Sequence, residues 1–563
     1  MSYNSLISMQ NNREEIEKTA LDERITHIER LHAVRTLGRM NDPRSEGALL
    51  RALKDEYPAV RHGAISALAG LGGKESEAVL QQLLFSRSPW VRSEAARTLV
   101  EISGVPESRP DNLELLFKLL HSEESRIENA ILRMGSPALT FLTEKLEAAT
   151  SAERQLAAQT LAKHIRNTLE RIPRGVEPFS WLKEHNITAQ AISDLYCFSA
   201  IRRGVSIDEV TNTGFDGISR AICGYKKIIF PIKSINFNYV TDTKKEVDYG
   251  DLLAQYGAGK PERMGRTILA PVKNGFLALK LSLHPGEEIA LSTESKLQGS
   301  LLNLPLQSLL PHPLQGTFRV KGLPEHLRMD QEPRDPIAIG YIAGDRYFTY
   351  LNDRQLSIEQ LHEGLLRCAI DLAELSGCGL IHTSLIALFH KRRDRPCEDT
   401  GYCWQKKVAG RIERWMDSCR YPNLRLSGIA DLEHIEVFRE ISPEKLQYHI
   451  GGQLLSMSLI LASYFRNRGH CDCDALKSIL RDCFVEYLRT LSISPPELDE
   501  VIDWDRLAAA MAEEMELDRC AAGSEPGQHL GRVHGPFPVP ELIRTIHITS
   551  AFCVLQIQAG REH

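Results

Sequence analysis

The chain of 563 residues has no cysteine before Cys197, and its twelve cysteines stand at scattered spacings with no repeated framework. That pattern suits reduced thiols better than a disulfide scaffold. No run of about 18 apolar residues stands out as a membrane span, and the opening Met1 to Gln10 lacks a charged segment followed by an apolar core. Charge of one sign is missing too. With 68 Lys+Arg against 74 Asp+Glu the net charge is −6, so no basic field points to nucleic acid or to an anionic membrane. The expectation is a cytoplasmic protein that binds neither. At 42% hydrophobic and 25% charged residues the composition is that of a globular chain with room for several domains.

What is present begins with a repeat. Arg-x-x-Ala-x-x-x-Leu occurs at Arg30/Ala33/Leu37, Arg61/Ala64/Leu68 and Arg92/Ala95/Leu99, a constant step of 31 residues. The intervals Glu46 to Leu53 and Glu77 to Leu84 carry apolar residues at helical spacing, and Asp-Pro, Tyr-Pro and Ser-Pro mark the turns. Arg154/Ala157/Leu161 repeats the pattern while 120–145 fits it poorly, which makes about five units with one degenerate. Residues 1–165 therefore read as an α-solenoid that resembles short bacterial HEAT-like repeats. Such an array buries its faces only against neighbouring units and offers a curved surface to a protein partner. The recurring arginines are expected to bridge adjacent repeats.

Ile172-Pro173-Arg174-Gly175 ends the helical texture, and 166–260 reads as a connector of mixed structure. Within it Tyr225 to Phe237 is β-like and suits an edge strand, and Tyr249-Gly250 and Gly257-Ala258-Gly259 read as loops. His470-Cys471-Asp472-Cys473 lacks a second pair at zinc spacing and reads as a polar loop.

From 261 the chemistry becomes informative. Thr267 to Lys280 reads as two strands joined by an Asn-Gly turn, and the second strand carries one lysine, Lys280, in an otherwise apolar run. A lysine there either snorkels along the sheet or is paired. Glu294, fourteen residues on in a helical stretch from Ile289 to Leu302, is within reach of it. Pro336 to Leu351 reads as a further hairpin pair. The strand lysine and helix glutamate resemble the protein-kinase pair in which the lysine holds the phosphates of ATP. A Gly-rich phosphate loop is absent, and Arg266 in Met264-Gly265-Arg266 is the candidate to supply by charge what glycine amides supply there.

Ser357 to Leu375 reads as an amphipathic helix with a Ser N-cap, and Gln447 to Arg466 as a helix buried all round. Between them, Cys378 to His390 stands where a kinase carries His-Arg-Asp followed by Asn. Here His382 is followed by Thr383 and Ser384, so the base aspartate is missing, and Phe389 stands in place of the asparagine. Tyr402 to Trp415 reads as a helix with two tryptophans, and His390 to Arg393 as a basic loop. Asn423 and Asp431 then lie eight residues apart around a Ser-Gly turn. As residue types they are ordinary in turns, and they are also oxygen ligands of the kind that hold magnesium.

Taken together, Lys280 with Glu294, the His382 loop without its aspartate, and Asn423 with Asp431 resemble the SidJ-type kinase-like proteins over roughly 265–470. The resemblance implies an α+β chain with a bilobal protein-kinase-like domain behind the repeats, its β-rich N-lobe at 261–356 and its helical C-lobe and C-terminal helices at 357–563. It implies ATP and Mg2+ as cofactors, with Lys280, Arg266 and His382 on the nucleotide and Asn423 and Asp431 on the metal. Lys280, Glu294 and Arg266 would carry the catalysis. The implied reaction is adenylylation of a protein carboxylate, followed by attack of free glutamate on the mixed anhydride. A further metal aspartate of the family is replaced here by His434, which leaves Glu433 to substitute. Calmodulin activates the best-known member. The tail Gln556 to Arg561 is too short for a calmodulin-binding helix, so calmodulin is not expected here. The alternative is a catalytically inactive kinase-like scaffold.

Overall fold

The computed structural model describes residues 13–71, 74–84, scattered positions between 86 and 132, 136–146, 151–173, 176–193, 227–230, 245–284, 286–302, 304–308, 310–329, 332–389, 418–492, 497–522 and 540–560. The chain divides into two compact units, Met1–Glu170 with Leu182–Phe198, and Arg171–Trp181 with Ser199–His563.

The first unit is helical. Its described helices are α1 (Arg13–Leu21), α2 (His27–Met40), α3 (Glu46–Ala52), α4 (Pro58–Leu71), α5 (Lys74–Leu83), α6 (Ser136–Lys145) and α7 (Ser151–Leu169). Local chemistry sets their ends. Thr26 and Glu29 form a reciprocal capping box at the start of α2, and Asn41 ends it in the left-handed region at φ 50°. The 31-residue step turns the same face inward each time, so Ala33, Leu37, Ala64, Leu68, Ala95 and Leu99 are all buried.

Arg30, Arg61 and Arg92 each bind the turn that leads into the helix they belong to. Arg30 Nη1 donates to the Ile25 carbonyl at 2.7 Å, Arg61 Nη1 to Asp55 and Glu56 carbonyls at 2.7 Å, and Arg92 Nη1 to Ser86 at 2.6 Å. Arg30 also spans to the next repeat, with Nε and Nη2 on the Asp55 carboxylate at 2.7 and 3.1 Å. The arginines thus serve first to satisfy turn carbonyls that the helix starts leave open.

The second unit contains a six-stranded sheet in the order β2-β6-β7-β5-β4-β3. Its strands are β2 (Glu246–Asp248), β3 (Glu262–Met264), β4 (Thr267–Val272), β5 (Gly275–Leu281), β6 (His312–Lys321) and β7 (Ile337–Ala343). β2 runs parallel to β6, and the other pairings are antiparallel. The β4–β5 turn closes at Val272↔Gly275, where Gly275 takes φ +134° and a Cβ would lie 2.2 Å from the Ala343 carbonyl oxygen. Only glycine fits that approach.

The alternation of β5 sorts its side chains between two cores. Leu277, Leu279 and Leu281 face α8 (Tyr249–Gln255). Ala278 faces Leu291 of α9 (Glu287–Leu301) and Ala430, and Lys280, two residues on, shares that face. The fold has thereby aimed the lysine at a helix and at the segment that leads into Asp431.

Helices make up the rest of the unit: α10 (Ile358–Gly377), α11 (Pro443–Arg468), α12 (Cys473–Thr490), α13 (Trp504–Ala522) and α14 (Pro540–Ala559). Ser357 and Gln360 form a capping box on α10. α11 is buried almost without break from Leu446 to Phe465. Short pairs stitch the segments between: β1 (Ile228–Ile229) with β12 (Glu440–Ile441), β8 (Leu380–His382) with β11 (Ile435–Val437), and β9 (Leu424–Arg425) with β10 (Gly428–Ile429).

Two local expectations differ from the structure. Tyr249-Gly250 opens a helix instead of a loop, because the Asp248 carboxylate caps the Gly250 and Asp251 amides at 2.8 and 3.2 Å. Pro336 to Leu351 is one strand and not a hairpin. After Gly344 the chain enters a 3-10 turn, Asp345–Phe348, whose Tyr347 and Phe348 rings stack edge-on against Tyr341 and Phe276. β7 pairs instead with β6 on one side and β5 on the other.

The Tyr402 to Trp415 helix and the His390 to Arg393 loop lie outside the described residues. Asp472 of the His470 to Cys473 stretch caps α12 through the Ala475 amide at 3.0 Å. Among the described residues one helix, Glu541–Ala559, is long and apolar enough to cross a membrane, and 83% of its apolar window is buried inside the protein.

Candidate functional site

Lys280 is the centre of a charge cluster built from four segments. Its Nζ lies 2.8 Å from Glu294 Oε2, forms an ion pair with Asp431 Oδ1, and stands 3.7 Å from Glu433 Oε1. Arg266, from the β3–β4 turn, pairs with that same Glu433 oxygen, Oε1. Lys280, Glu294 and Glu433 side chains are nearly inaccessible, whereas Asp431 is 35% exposed and marks the open side. Two cations thus meet three carboxylates, a formal charge of −1 when all three are ionised.

The electrostatics follow from burial against charge. For Lys280 burial works to lower the pKa, but Asp431 and Glu294 outweigh it and the ammonium is held above its ordinary value. Asp431 feels an upward push from desolvation that the Lys280 charge and hydrogen bond overcome, so it stays ionised well below the usual carboxylate range. Glu294 goes the other way. Burial, only partly offset by Lys280 and reinforced by Asp431 and Glu433, raises it. The lysine is shared between the two carboxylates. Arg266 is lowered by burial and raised more strongly by Glu433 and Asp431, so it too remains charged.

A pH prediction follows for Glu294. Its folded pKa lies above 4.5, so protons favour the folded state, and this contribution fades as pH rises from 4.5 through the raised value. Asp431 acts only below 3.8 and does not interfere above it. Urea unfolding between pH 5 and 8 is expected to show the wild type losing stability that Glu294→Gln retains. Parallel curves for the two proteins would contradict the assignment.

Asp431 sits in the left-handed region at φ 56°, a conformation that costs a non-glycine residue energy and recurs at functional sites. The neighbourhood holds it there. The His382 ring donates from Nε2 to the Ala430 carbonyl at 3.0 Å, and its Nδ1 accepts from the Ser384 amide at 3.4 Å. Both ring nitrogens are engaged by main chain, so His382 positions the Asp431 segment instead of presenting a nitrogen to a nucleotide. The Asn423 amide donates from Nδ2 to the Ser384 carbonyl at 2.9 Å, and its main chain pairs with Leu385 and Ala430 at 2.7 and 3.0 Å. Thr383 donates to the His434 carbonyl from both N and Oγ1 at 3.0 Å. The structure thus brings Lys280, Glu294, Arg266 and Asp431 into one cluster and places His382 and Asn423 behind it as braces.

Comparison with known proteins adds two findings. Residues 27–84 and 52–133 match the HEAT-repeat family. The N-terminal part carries HEAT repeats. A stretch of 195 residues is 29% identical to the calmodulin-dependent glutamylase SidJ of Legionella pneumophila, covering 30% of this chain and 22% of that protein. The match therefore spans less than a quarter of that relative's length, and it supports a distant likeness to a protein-modifying enzyme.

One residue that matters here escapes the sequence reading. Asp371, on α10, is fully buried and accepts hydrogen bonds from the Gln307 and Ser308 amides at 2.7 Å and from Ser308 Oγ. Ser308 Oγ in turn accepts from the Ile429 amide at 3.1 Å. This node ties the chain leaving α9, which carries Glu294, to the β9–β10 hairpin that presents Asp431. A signal was available, because Asp371 interrupts the apolar face of α10 made by Leu361, Leu365, Cys368 and Leu372.

Proposed function

We propose that the second unit is a kinase-like, ATP-dependent enzyme that moves AMP onto a protein carboxylate and passes the activated acyl group to an amine such as that of glutamate. In this reading the six-stranded sheet with α9 is the N-lobe, the helices from α10 onward form the C-lobe, and the HEAT repeats present a protein. The observation that carries it is the buried lysine fixed between a helix glutamate and the strained Asp431. Two cations aimed at one open-sided cluster suit a polyphosphate. The distant likeness to a glutamylase supports the direction of the chemistry.

The donor set fits a divalent cation. Glu433 Oε2 and Glu294 Oε1 are buried without a hydrogen-bond partner, and the cluster carries an excess negative charge. Asp431 and Glu433 would hold the ion, and Asn423, its Nδ2 side held by Ser384, would offer Oδ1. Magnesium supplies charge neutralisation at the phosphates. The protein's own part is orientation. Lys280 and Arg266 bind phosphate oxygens, Glu294 keeps Lys280 in place, and His382 keeps the Asp431 turn in place.

The missing base is consistent with this reaction. Ser384 stands where a kinase has its aspartate, but a carboxylate nucleophile is already ionised at neutral pH and has no proton to surrender. Its oxygen attacks the α-phosphorus and pyrophosphate leaves; the amine then attacks the acyl carbon and AMP leaves. Titration of the folded chain with ATP and magnesium is expected to show saturable heat. An intact fold with no detectable binding would overturn the reading.

A further inference from the structure

Asp431, Glu433 and His434 each bring one ligand atom to within 4.8 Å of the others. His434 Nε2 lies 3.9 Å from Asp431 Oδ2 and 3.7 Å from Glu433 Oε1. Asp431 divides its oxygens, with Oδ1 on Lys280 and Oδ2 towards the histidine. Glu433 does the same in another way: Oε1 pairs with Arg266, while Oε2 has no hydrogen bond although the side chain is only 7% exposed. An orphaned, buried carboxylate oxygen costs energy that a ligand would recover.

The backbone fixes this trio more firmly than a chance cluster. The 3-10 turn Leu432–His434 follows directly on the left-handed Asp431, and the His434 amide donates to the Asp431 carbonyl at 3.1 Å. The His434 carbonyl is clamped by both donors of Thr383, and β11–β8 pairing begins at the next residue, Ile435↔His382. Ligands adjacent on an octahedral ion with bonds of about 2.1 Å stand about 3 Å apart, so His434 Nε2 needs to draw in by about 1 Å towards the two carboxylates.

The donor chemistry selects the ion. Magnesium takes oxygen ligands and gains little from imidazole, whereas first-row transition ions bind a mixed nitrogen and carboxylate set more tightly. We propose that Asp431, Glu433 and His434 form a nitrogen–oxygen site for a first-row divalent transition ion, taken in preference to magnesium. This rests on the reading of the cluster as a metal-dependent nucleotide site and deepens it by naming the class of ion.

The test uses Mn2+ as probe with the full chain. Electron paramagnetic resonance gives its affinity, Mg2+ competition gives the preference, and electron spin-echo modulation reports any coordinated nitrogen. Expected are one bound Mn2+ at least about tenfold tighter than Mg2+, and 14N modulation from imidazole. His434→Asp should abolish the modulation and shift the preference back towards Mg2+. Bound Mn2+ without 14N modulation, or equal affinity for the two ions, would overturn the proposal, and the wild-type spectrum decides even if the variant does not fold. The outcome is separable from the nucleotide reading. Nitrogen modulation without ATP binding keeps the ion and loses the nucleotide; ATP binding beside oxygen-only manganese does the reverse.

Discussion

Lys280→Ala is expected to abolish nucleotide-dependent labelling and to remove about 3–5 kcal/mol from the stability of the second unit. The two effects have one origin. Lys280 is buried and is the shared counter-charge of Glu294 and Asp431, with Glu433 at 3.7 Å. Without it three carboxylates face Arg266 alone, and taking one partner from a buried set leaves charge that neither water nor protein compensates. The triple variant Lys280→Ala, Glu294→Gln, Asp431→Asn separates structure from chemistry, since it removes the stranded charges along with the lysine. Chemical denaturation should find its stability largely restored while labelling stays absent. Labelling by a folded Lys280→Ala protein would remove the lysine from the mechanism.

Gly428→Ala should be strongly damaging. Gly428 holds φ +130°, and a Cβ there would stand 1.9 Å from Ser308 Oγ and 2.8 Å from its Cα. The backbone conformation alone costs about 1–2 kcal/mol for an L-residue. Displacing Ser308 also strips the Asp371 carboxylate of a partner at a fully buried site, worth about 1–3 kcal/mol more. Because Ile429 hangs on the same hydroxyl and Asp431 lies two residues beyond it, the groups proposed to hold metal and nucleotide shift with the hairpin. The expected result is a loss of about 3 kcal/mol or more in urea unfolding, with ATP affinity falling in parallel. Ser308→Ala, which loses the hydrogen bonds without the clash, should fall between. Unchanged stability and affinity in Gly428→Ala would show that the hairpin tolerates movement.

Much of this arrangement is readable in the chain where a residue contradicts its surroundings. Lys280 stands out because it interrupts an apolar strand, and Glu294 because it follows on a helix at a reachable distance. The repeats are legible because the same Arg, Ala and Leu return every 31 residues, and the α10 start because Ser357 and Gln360 form a capping box. β6 is hidden for the opposite reason. Pro313 and Gly316 break its alternation, and the pairing with β7 slips between Pro313 and Thr317, so in sequence β7 reads as the first half of a hairpin with the segment that follows it.

The ion-pair partners are harder still. Arg266 reads as a phosphate ligand, and its pairing with Glu433 depends on two segments 167 residues apart. His382 reads as a ligand because of its place in an eroded catalytic loop, yet its ring is spent on backbone groups that no local pattern announces. Burial of Asp371 against Ser308 depends equally on tertiary contact, and only its position on an apolar helix face hints at it.

The central claim is that this cluster transfers adenylate to carboxylate, and one measurement reaches it most directly. The full chain is incubated with a candidate protein acceptor and ATP labelled separately at the α- and γ-phosphates, then with labelled glutamate. The account predicts α-label on protein, no γ-label, and replacement of the α-label by glutamate when that amine is added. Label from the γ-phosphate on protein would contradict it in favour of ordinary phosphoryl transfer, and no label on any acceptor despite tight ATP binding would leave a nucleotide-binding scaffold in its place.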